Sequence, residues 1–292
     1  MSKPEFDVID FFNNKEKVLQ DFNHKKRCLD GLRNIITGCI EAIEIHKDFL
    51  LIALTDGRKY NWRMNSIRDN NFTVLTHTGF YERNESNLIK KYITKDSTVF
   101  DVGANKGWYS VLLGKLAVDG VVYAFEPLAS AFKELESNVE INHLNNVKCI
   151  NIALSNYKGT SEMIIPYGHS PFAFLCGAEH GREENRNSYL CNVTTIDNYI
   201  SDNKIGAVDF MKIDAEGSEY NILLGANRLL SAKKAPMIFI ESYDDALRKF
   251  DTNSKELINL LRSYGYIIHD TKDMSLVRAD KDYSDTDFLC FK

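Results

Sequence analysis

Residues 98–110 read TVFDVGANKGWYS: an apolar run stops at Asp101, turns through glycines at 103 and 107, and continues into a helical pattern. A strand, turn and helix in this order present backbone to a small charged molecule. Gly103 turns the chain where a Cβ would clash, and Gly107 lets the helix start close to strand and ligand. The helix N-terminus beyond it offers unpaired N–H groups to an anion. In a parallel sheet such a ligand lies in the crevice at the carboxyl end of the strand.

A nicotinamide dinucleotide requires glycine at three set positions, G-x-G-x-x-G. Aligned on Gly103, the second and third positions hold Asn105 and Trp108, so two of three fail. No Gly-Lys-Ser/Thr follows, which removes a P-loop. The spacing that fits is D-x-G-x-x-x-G, on Asp101, Gly103 and Gly107. It suits a ligand without phosphate whose amino acid end needs an acid for its ammonium group and a turn for its carboxylate. S-adenosylmethionine is such a ligand. The next apolar run, GVVYAFEP, ends in Glu126-Pro127 about twenty residues on, where an acid accepts ribose hydroxyls. Ala104 and Asn105 supply the turn between the glycines, and Asn tolerates a left-handed conformation there. Trp108 and Tyr109 line the methionine side of the pocket or join the core; both readings stay open.

Around this turn the chain alternates. A short helix over 84–93 precedes the strand; helix 108–117, strand 120–127, helix 130–142 with Ser130 as N-cap, and strand 147–155 follow. After an interruption the alternation resumes with strand 208–217, helix 218–230, strand 236–242, helix 254–264, strand 264–270 and a last strand near 287–291. Nearly unbroken apolar strands separated by helices predict a buried, doubly wound, mostly parallel α/β sheet. The short gap between the last two strands predicts an antiparallel pair at one edge. Residues 157–192 contain an extra strand in KGTSEMIIPYG and an irregular excursion of the kind that is usually functional or disordered. Residues 1–77 form a separate annex: amphipathic helices from Phe6 to about Ile40, then two strands around an Asp56-Gly57 turn. The expected domains are therefore 1–77 and 78–292.

FDVGANKGWYS, AFEP, NIALSNYKGTSEM, TTIDNYI and MKIDAEGSEYNILLGA, in this order over roughly residues 80–270, resemble the FkbM-type methyltransferases. The resemblance implies a class I methyltransferase fold, S-adenosylmethionine converted to S-adenosylhomocysteine, and methylation of a hydroxyl on a sugar, glycan or polyketide-like acceptor. TGFYERNE, with Tyr81 and Glu82, resembles the family's lead-in to the first motif. The annex has no counterpart in it.

Ser155 ends the third predicted strand, where the adenine edge is expected. Asp214 ends the fourth, facing the crevice where methyl donor and acceptor meet. Glu216 follows, while Ser218 and Glu219 read as capping residues of the next helix. Methyl transfer to oxygen needs the two reactants near ~3 Å and a group to take the hydroxyl proton. Asp214, Glu216 and Glu241, at the end of the fifth strand, are the candidate bases, with His169 and His180 of the excursion as further ones. His169, His180 and Phe172 are also expected against the acceptor. The three acids are equally the ligand set of an oxygen-seeking divalent cation; metal-free base catalysis is preferred.

Composition narrows the alternatives. The chain has 292 residues, 44% hydrophobic, with a formal net charge of −5. That charge gives no long-range pull toward nucleic acid, and Asp214-Ala-Glu-Gly replaces the Asp/Asn-Pro-Pro-aromatic element of DNA amino-methylating enzymes. A non-catalytic binding module, or transfer to a nitrogen, protein or nucleic acid acceptor, stays as the alternative function. No apolar stretch reaches the ~18 residues of a membrane span, and no secretory leader is legible, so a cytoplasmic location is expected. The six cysteines form no CxxC pair; they are expected reduced and mostly buried, with a Cys176–Cys191 disulfide as the alternative. Homo-oligomerisation is open.

Overall fold

The computed structural model describes residues 38–63, 72, 74–75, 78–165, 174–175, 187–278 and 281–292. It contains two compact units, Met1–Gly57 with Arg63–Tyr81 and Arg58–Trp62 with Glu82–Lys292. The helices expected between Phe6 and about Ile40 fall almost wholly outside the described residues. In the first unit, β1 (Ile40–Ile45) pairs antiparallel with β2 (Phe49–Leu54). Leu50, Ile52 and Leu54 alternate inward along β2. The predicted Asp56-Gly57 turn follows: Gly57 has φ 79° and donates its N–H to Leu54 O at 2.9 Å. It leads to β3 (Lys59–Arg63), whose first four residues belong to the second unit.

The second unit carries α1 (Arg83–Ile89), β4 (Thr98–Val102), α2 (Trp108–Leu116), β5 (Val121–Phe125), α3 (Ala129–Ile141) and β6 (Val147–Ile150). The interruption contains β7 (Ala153–Leu154), β8 (Gly159–Ile165), β9 (Phe174–Leu175) and β10 (Asn187–Thr194). The alternation then resumes with α4 (Ile196–Asp202), β11 (Phe210–Ile213), α5 (Glu219–Leu224), α6 (Asn227–Ser231), β12 (Met237–Ile240), α7 (Asp244–Leu247), α8 (Ser254–Ser263), β13 (Ile267–Asp270) and β14 (Phe288–Phe291). Seven strands form one sheet in the order β13-β14-β12-β11-β4-β5-β6. From β6 to β12 every pair is parallel, and β14 runs antiparallel to both neighbours. This is the doubly wound sheet that the alternating apolar runs predict, closed by the expected antiparallel pair. Phe100, Phe125, Phe210 and Phe288, each no more than 1% exposed, fill the core from four of its strands.

Four local expectations need correction. The predicted strand 147–155 breaks after Ile150: Asn151 Nδ2 donates to Glu126 O (2.8 Å) and Pro127 O (3.0 Å), and the chain leaves the main sheet. Its remainder, β7, joins a second sheet of order β7-β10-β8-β9. The strand β10 was not expected at all, although Cys191 and Val193 alternate inward along it. Helix α3 starts one residue early, with Leu128 rather than Ser130 as N-cap and no side-chain cap bond. The single helix expected over 218–230 is two, α5 and α6, interrupted at Gly225 and Ala226.

Candidate active site

The turn after β4 is held by backbone and by one acid. Gly103 (φ 78°) and Ala104 donate their N–H groups to Phe125 O at 3.1 and 2.9 Å. A Cβ on Gly103 would run into the carbonyl oxygen of Asp214, so only glycine lets β4 and β11 deliver their carboxyl ends this close. Gly107 (φ 86°) is the N-cap of α2, and a Cβ there would meet Leu135 Cδ1 at 2.7 Å. Asn105 takes the left-handed conformation (φ 47°) and donates its N–H to Glu126 Oε2 at 2.8 Å. The other oxygen of Glu126 accepts Leu128 N–H, also at 2.8 Å. Glu126 thus ties the turn to the start of α3. Burial pushes its carboxyl up to about 7 against the pull of these two donors.

Asp101 is fully buried. Its Oδ2 accepts the Ser110 hydroxyl at 2.6 Å, while its Oδ1 is buried with no hydrogen-bond partner. Burial raises its pKa, opposed by the Lys212 ammonium and the Ser110 hydroxyl. A buried polar atom without a partner costs roughly 1–3 kcal/mol, and a ligand's ammonium group would relieve that cost.

Register sets the other half of the site. Ile213 pairs with Val102 and Ile240, and Ile240 pairs with Phe288. Asp214, Glu241 and Asp287, each one step beyond these residues, therefore form a row across β11, β12 and β14 at the carboxyl end of the parallel strands. Main-chain bonds hold the row: Asp214 N–H donates to Val102 O and Glu241 N–H to Ile213 O, both at 3.0 Å. Glu216 joins from the following turn, left-handed at φ 53°. The Asp214 charge, followed by burial, holds Glu241 well above the usual carboxylate range. Burial, then Asp214, raises Glu216 to about 8 and Asp287 to about 7.

One cation sits inside this acid field. Lys212, 3% exposed, donates to Asp214 Oδ2 at 2.7 Å, pairs in register with Asp101, and lies 4.6 Å from the centre of the Tyr109 ring. Burial lowers its pKa, but the Asp214, Asp101 and Glu82 charges outweigh that and leave it raised. Neither Lys212 nor Asp287 was anticipated from the sequence. The signal for Lys212 was a charged residue within a buried apolar strand, which needs a partner.

The remaining predicted residues fall as follows. Glu82 lies close enough to act on Lys212 and Asp287; Tyr81 ends the first unit. Trp108 and Tyr109 open α2 and are 9% and 5% exposed. Pro127 follows Glu126 and passes its carbonyl to Asn151. Ser155 follows β7 rather than ending a main-sheet strand; it is buried, and its N–H donates to Thr194 O at 2.9 Å. Glu219 does cap its turn, accepting Ala215 N–H at 2.7 Å and Gly217 N–H at 3.3 Å. Ser218 holds the N-cap position of α5 but makes no cap bond with its side chain. His169, Phe172 and His180 lie outside the described residues, as does Cys176; Cys191 is buried and free. Among the described residues no three His, Cys, Asp or Glu side chains converge to hold a cation, and no helix is long and apolar enough to cross a membrane.

The sequence model of a family described as methyltransferase FkbM domain matches residues 101–268. The AMB antimetabolite synthetase AmbE of Pseudomonas aeruginosa is 25% identical over 218 residues, which are 64% of this chain and 10% of AmbE. The chain therefore spans about a tenth of the length of that relative. Among solved structures, an S-adenosylmethionine-dependent methyltransferase from Aquifex aeolicus is similar with a TM-score of 0.40 and 16% identity, over 71% of this chain and 88% of that one. The precorrin-6y C5,15-methyltransferase from Geobacter metallireducens is similar with a TM-score of 0.41 and 13% identity, over 72% of this chain and 87% of that one.

Proposed function

The chain belongs to the FkbM methyltransferase family, and from that premise we propose that it moves the methyl group of S-adenosylmethionine to a hydroxyl of a sugar, glycan or polyketide-like acceptor. The observation that carries this reading is the opposition of two unlike halves at one sheet edge: a turn cradle with an unpartnered buried carboxylate oxygen at Asp101, and a row of carboxyls at Asp214, Glu241 and Asp287.

The residues fit the donor. Asp101 Oδ1 accepts the ammonium of its amino acid end, and the turn through Gly103, Ala104, Asn105 and Gly107 receives its carboxylate. Glu126 keeps lone pairs for the ribose hydroxyls after taking Asn105 and Leu128 N–H. Pro127 and Ser155 are assigned to the adenine side, Trp108 and Tyr109 to the methionine side, and Glu82 to the approach. When bound, the donor supplies an electrophilic methyl carbon and a neutral thioether leaving group.

The acceptor half removes a proton. As the acceptor oxygen forms its bond to the methyl carbon, its hydrogen passes to a carboxylate of the row, and the carbon–sulfur bond breaks. Asp214, Glu216 and Glu241 are the proposed catalytic acids. Lys212 holds Asp214 in place through its hydrogen bond to Oδ2. The neighbouring acids are raised by burial and by the Asp214 charge, so the ionised form of Glu216, reached as pH rises toward about 8, is a stronger base for a hydroxyl proton than an ordinary carboxylate. Their acceptor is proposed to be a small molecule.

Methyl-labelled S-adenosylmethionine offered with panels of hydroxylated sugars, polyketide-like alcohols and amines tests the acceptor class. Label recovered in ether products is expected. Label found in amine products alone would overturn the oxygen assignment.

A further inference from the structure

Residues 58–62 lie outside the 101–268 span of the family match, yet they belong to the same compact unit as the cofactor turn. Their contacts converge on that turn. Tyr60, 1% exposed, donates its hydroxyl to Trp108 O at 3.0 Å and stacks on the Trp108 ring at 4.8 Å between centroids. Arg58, 5% exposed, donates to the Tyr60 hydroxyl at 3.2 Å, and its guanidinium lies 4.7 Å from the centre of the Trp108 ring. Asn61 N–H donates to Asn138 Oδ1 at 2.6 Å, and Asn138 Nδ2 donates to Lys106 O at 2.8 Å. Lys106 places its ammonium 4.8 Å from the Trp62 ring centre and 3.6 Å from Glu134 Oε2.

Two carbonyls of the turn region, at Lys106 and Trp108, are thus pinned from outside, one directly by Tyr60 and one through Asn138. The peptide plane of the Trp108 carbonyl also carries Tyr109 N–H, at the mouth of α2, and that of the Lys106 carbonyl carries Gly107 N–H, which donates to Ala104 O at 2.8 Å and closes the turn. Fixing the first fixes the direction of a donor that would meet a ligand's carboxylate, and fixing the second holds the turn that would receive it. The stacked cation–ring pairs, desolvated as they are, add rigidity to the same segment.

We propose that Arg58–Trp62, with Asn138 as relay, is a strap whose residues are positioning residues for the methyl donor site. The proposal rests on the cofactor reading above. It assigns donor affinity in part to a segment that the sequence groups with the annex.

The test compares Tyr60→Phe, Asn138→Ala and Tyr266→Phe in the full chain. Tyr60→Phe keeps the ring on Trp108 and removes only the hydroxyl. Tyr266 is the control: its hydroxyl also donates to a buried carbonyl, Pro236 O at 2.9 Å, far along the chain from the turn. The dissociation constant for S-adenosylhomocysteine is measured by calorimetry, with melting temperature and the KM for donor and acceptor alongside. Loss of one buried hydrogen bond is expected to weaken S-adenosylhomocysteine about three- to tenfold in Tyr60→Phe and in Asn138→Ala. The donor KM should rise in parallel, with the acceptor KM and kcat within about twofold of wild type. Tyr266→Phe should lower the melting temperature and leave affinity unchanged. Unchanged affinity in both strap variants, or an equal loss in Tyr266→Phe, overturns the strap while the cofactor reading stands. A wild-type chain that binds no S-adenosylhomocysteine overturns the cofactor reading and the strap with it.

Discussion

The turn around Gly103 and the acid row at Asp214, Glu241 and Asp287 are built on opposite terms. At the turn, proposed to take the donor, Gly103, Ala104, Asn105, Glu126 and Asp101 are tied by main-chain and carboxylate hydrogen bonds, and among the described residues the buried oxygens left without a partner there are Asp101 Oδ1 and Asn105 Oδ1. In the acid row, proposed to face the acceptor, Glu216, Glu241 and Asp287 take no side-chain hydrogen bond among the described residues, and each is raised by burial and by the Asp214 charge. The first arrangement is what a rigid receptor needs; the second is a set of buried carboxyls without partners that stability alone would not select. The proposed division into donor binding and chemistry rests on this contrast.

Breaking the acceptor side at its hub gives the largest expected effect. Asp214→Asn still accepts the Lys212 hydrogen bond, so the fold is kept, while kcat is expected to fall about a hundred- to a thousandfold. S-adenosylhomocysteine affinity should stay within about twofold; full activity in this variant would remove Asp214 from the chemistry. The donor side responds in the other parameter. Glu126→Ala deletes a charged acceptor and is expected to weaken S-adenosylhomocysteine about thirtyfold by calorimetry. An unchanged constant would contradict its ribose role.

Lys212→Met sharpens the boundary between the halves, because Lys212 touches both. It leaves Asp214 without its cation. A fully buried pair broken this way costs ~3–5 kcal/mol; since the Asp214 side chain is 31% exposed, about 2 kcal/mol is expected in chemical denaturation. The smallest effect concerns pH. The folded pKa of Glu216, about 8, lies above its ordinary 4.5. The stability associated with its neutral form is therefore complete below about 4.5 and lost as pH rises toward about 8. Glu216→Gln should flatten the fall in melting temperature between these pH values, by about 1 kcal/mol after discounting for partial exposure. A profile identical to wild type would place the Glu216 carboxyl in water.

The donor side was legible because its determinants are local. Glycine spacing, an acid at a strand end and a second acid about twenty residues on are one-dimensional signals, and the sheet itself follows from apolar runs. The acceptor side was legible only in part. Asp214 and Glu241 end predicted strands, but Asp287 joins them only because β14 is inserted antiparallel beside β12, a fact of register and not of spacing. Lys212 was hidden in part for the same reason: beyond Asp214, two residues on, it faces Asp101 across a strand pair and Tyr109 on a helix. Asn61 and Asn138 meet across 77 positions of chain, a separation no local pattern encodes. The break after Ile150 turns on one side chain, Asn151, capturing two carbonyls, where the apolar pattern alone continued the strand.

The most direct test of the account is calorimetric titration of the purified chain with S-adenosylhomocysteine, with NAD as control. Micromolar binding of S-adenosylhomocysteine and none of NAD is the predicted result. Binding of NAD, or of neither ligand, would contradict a methyl donor site at the Gly103–Gly107 turn.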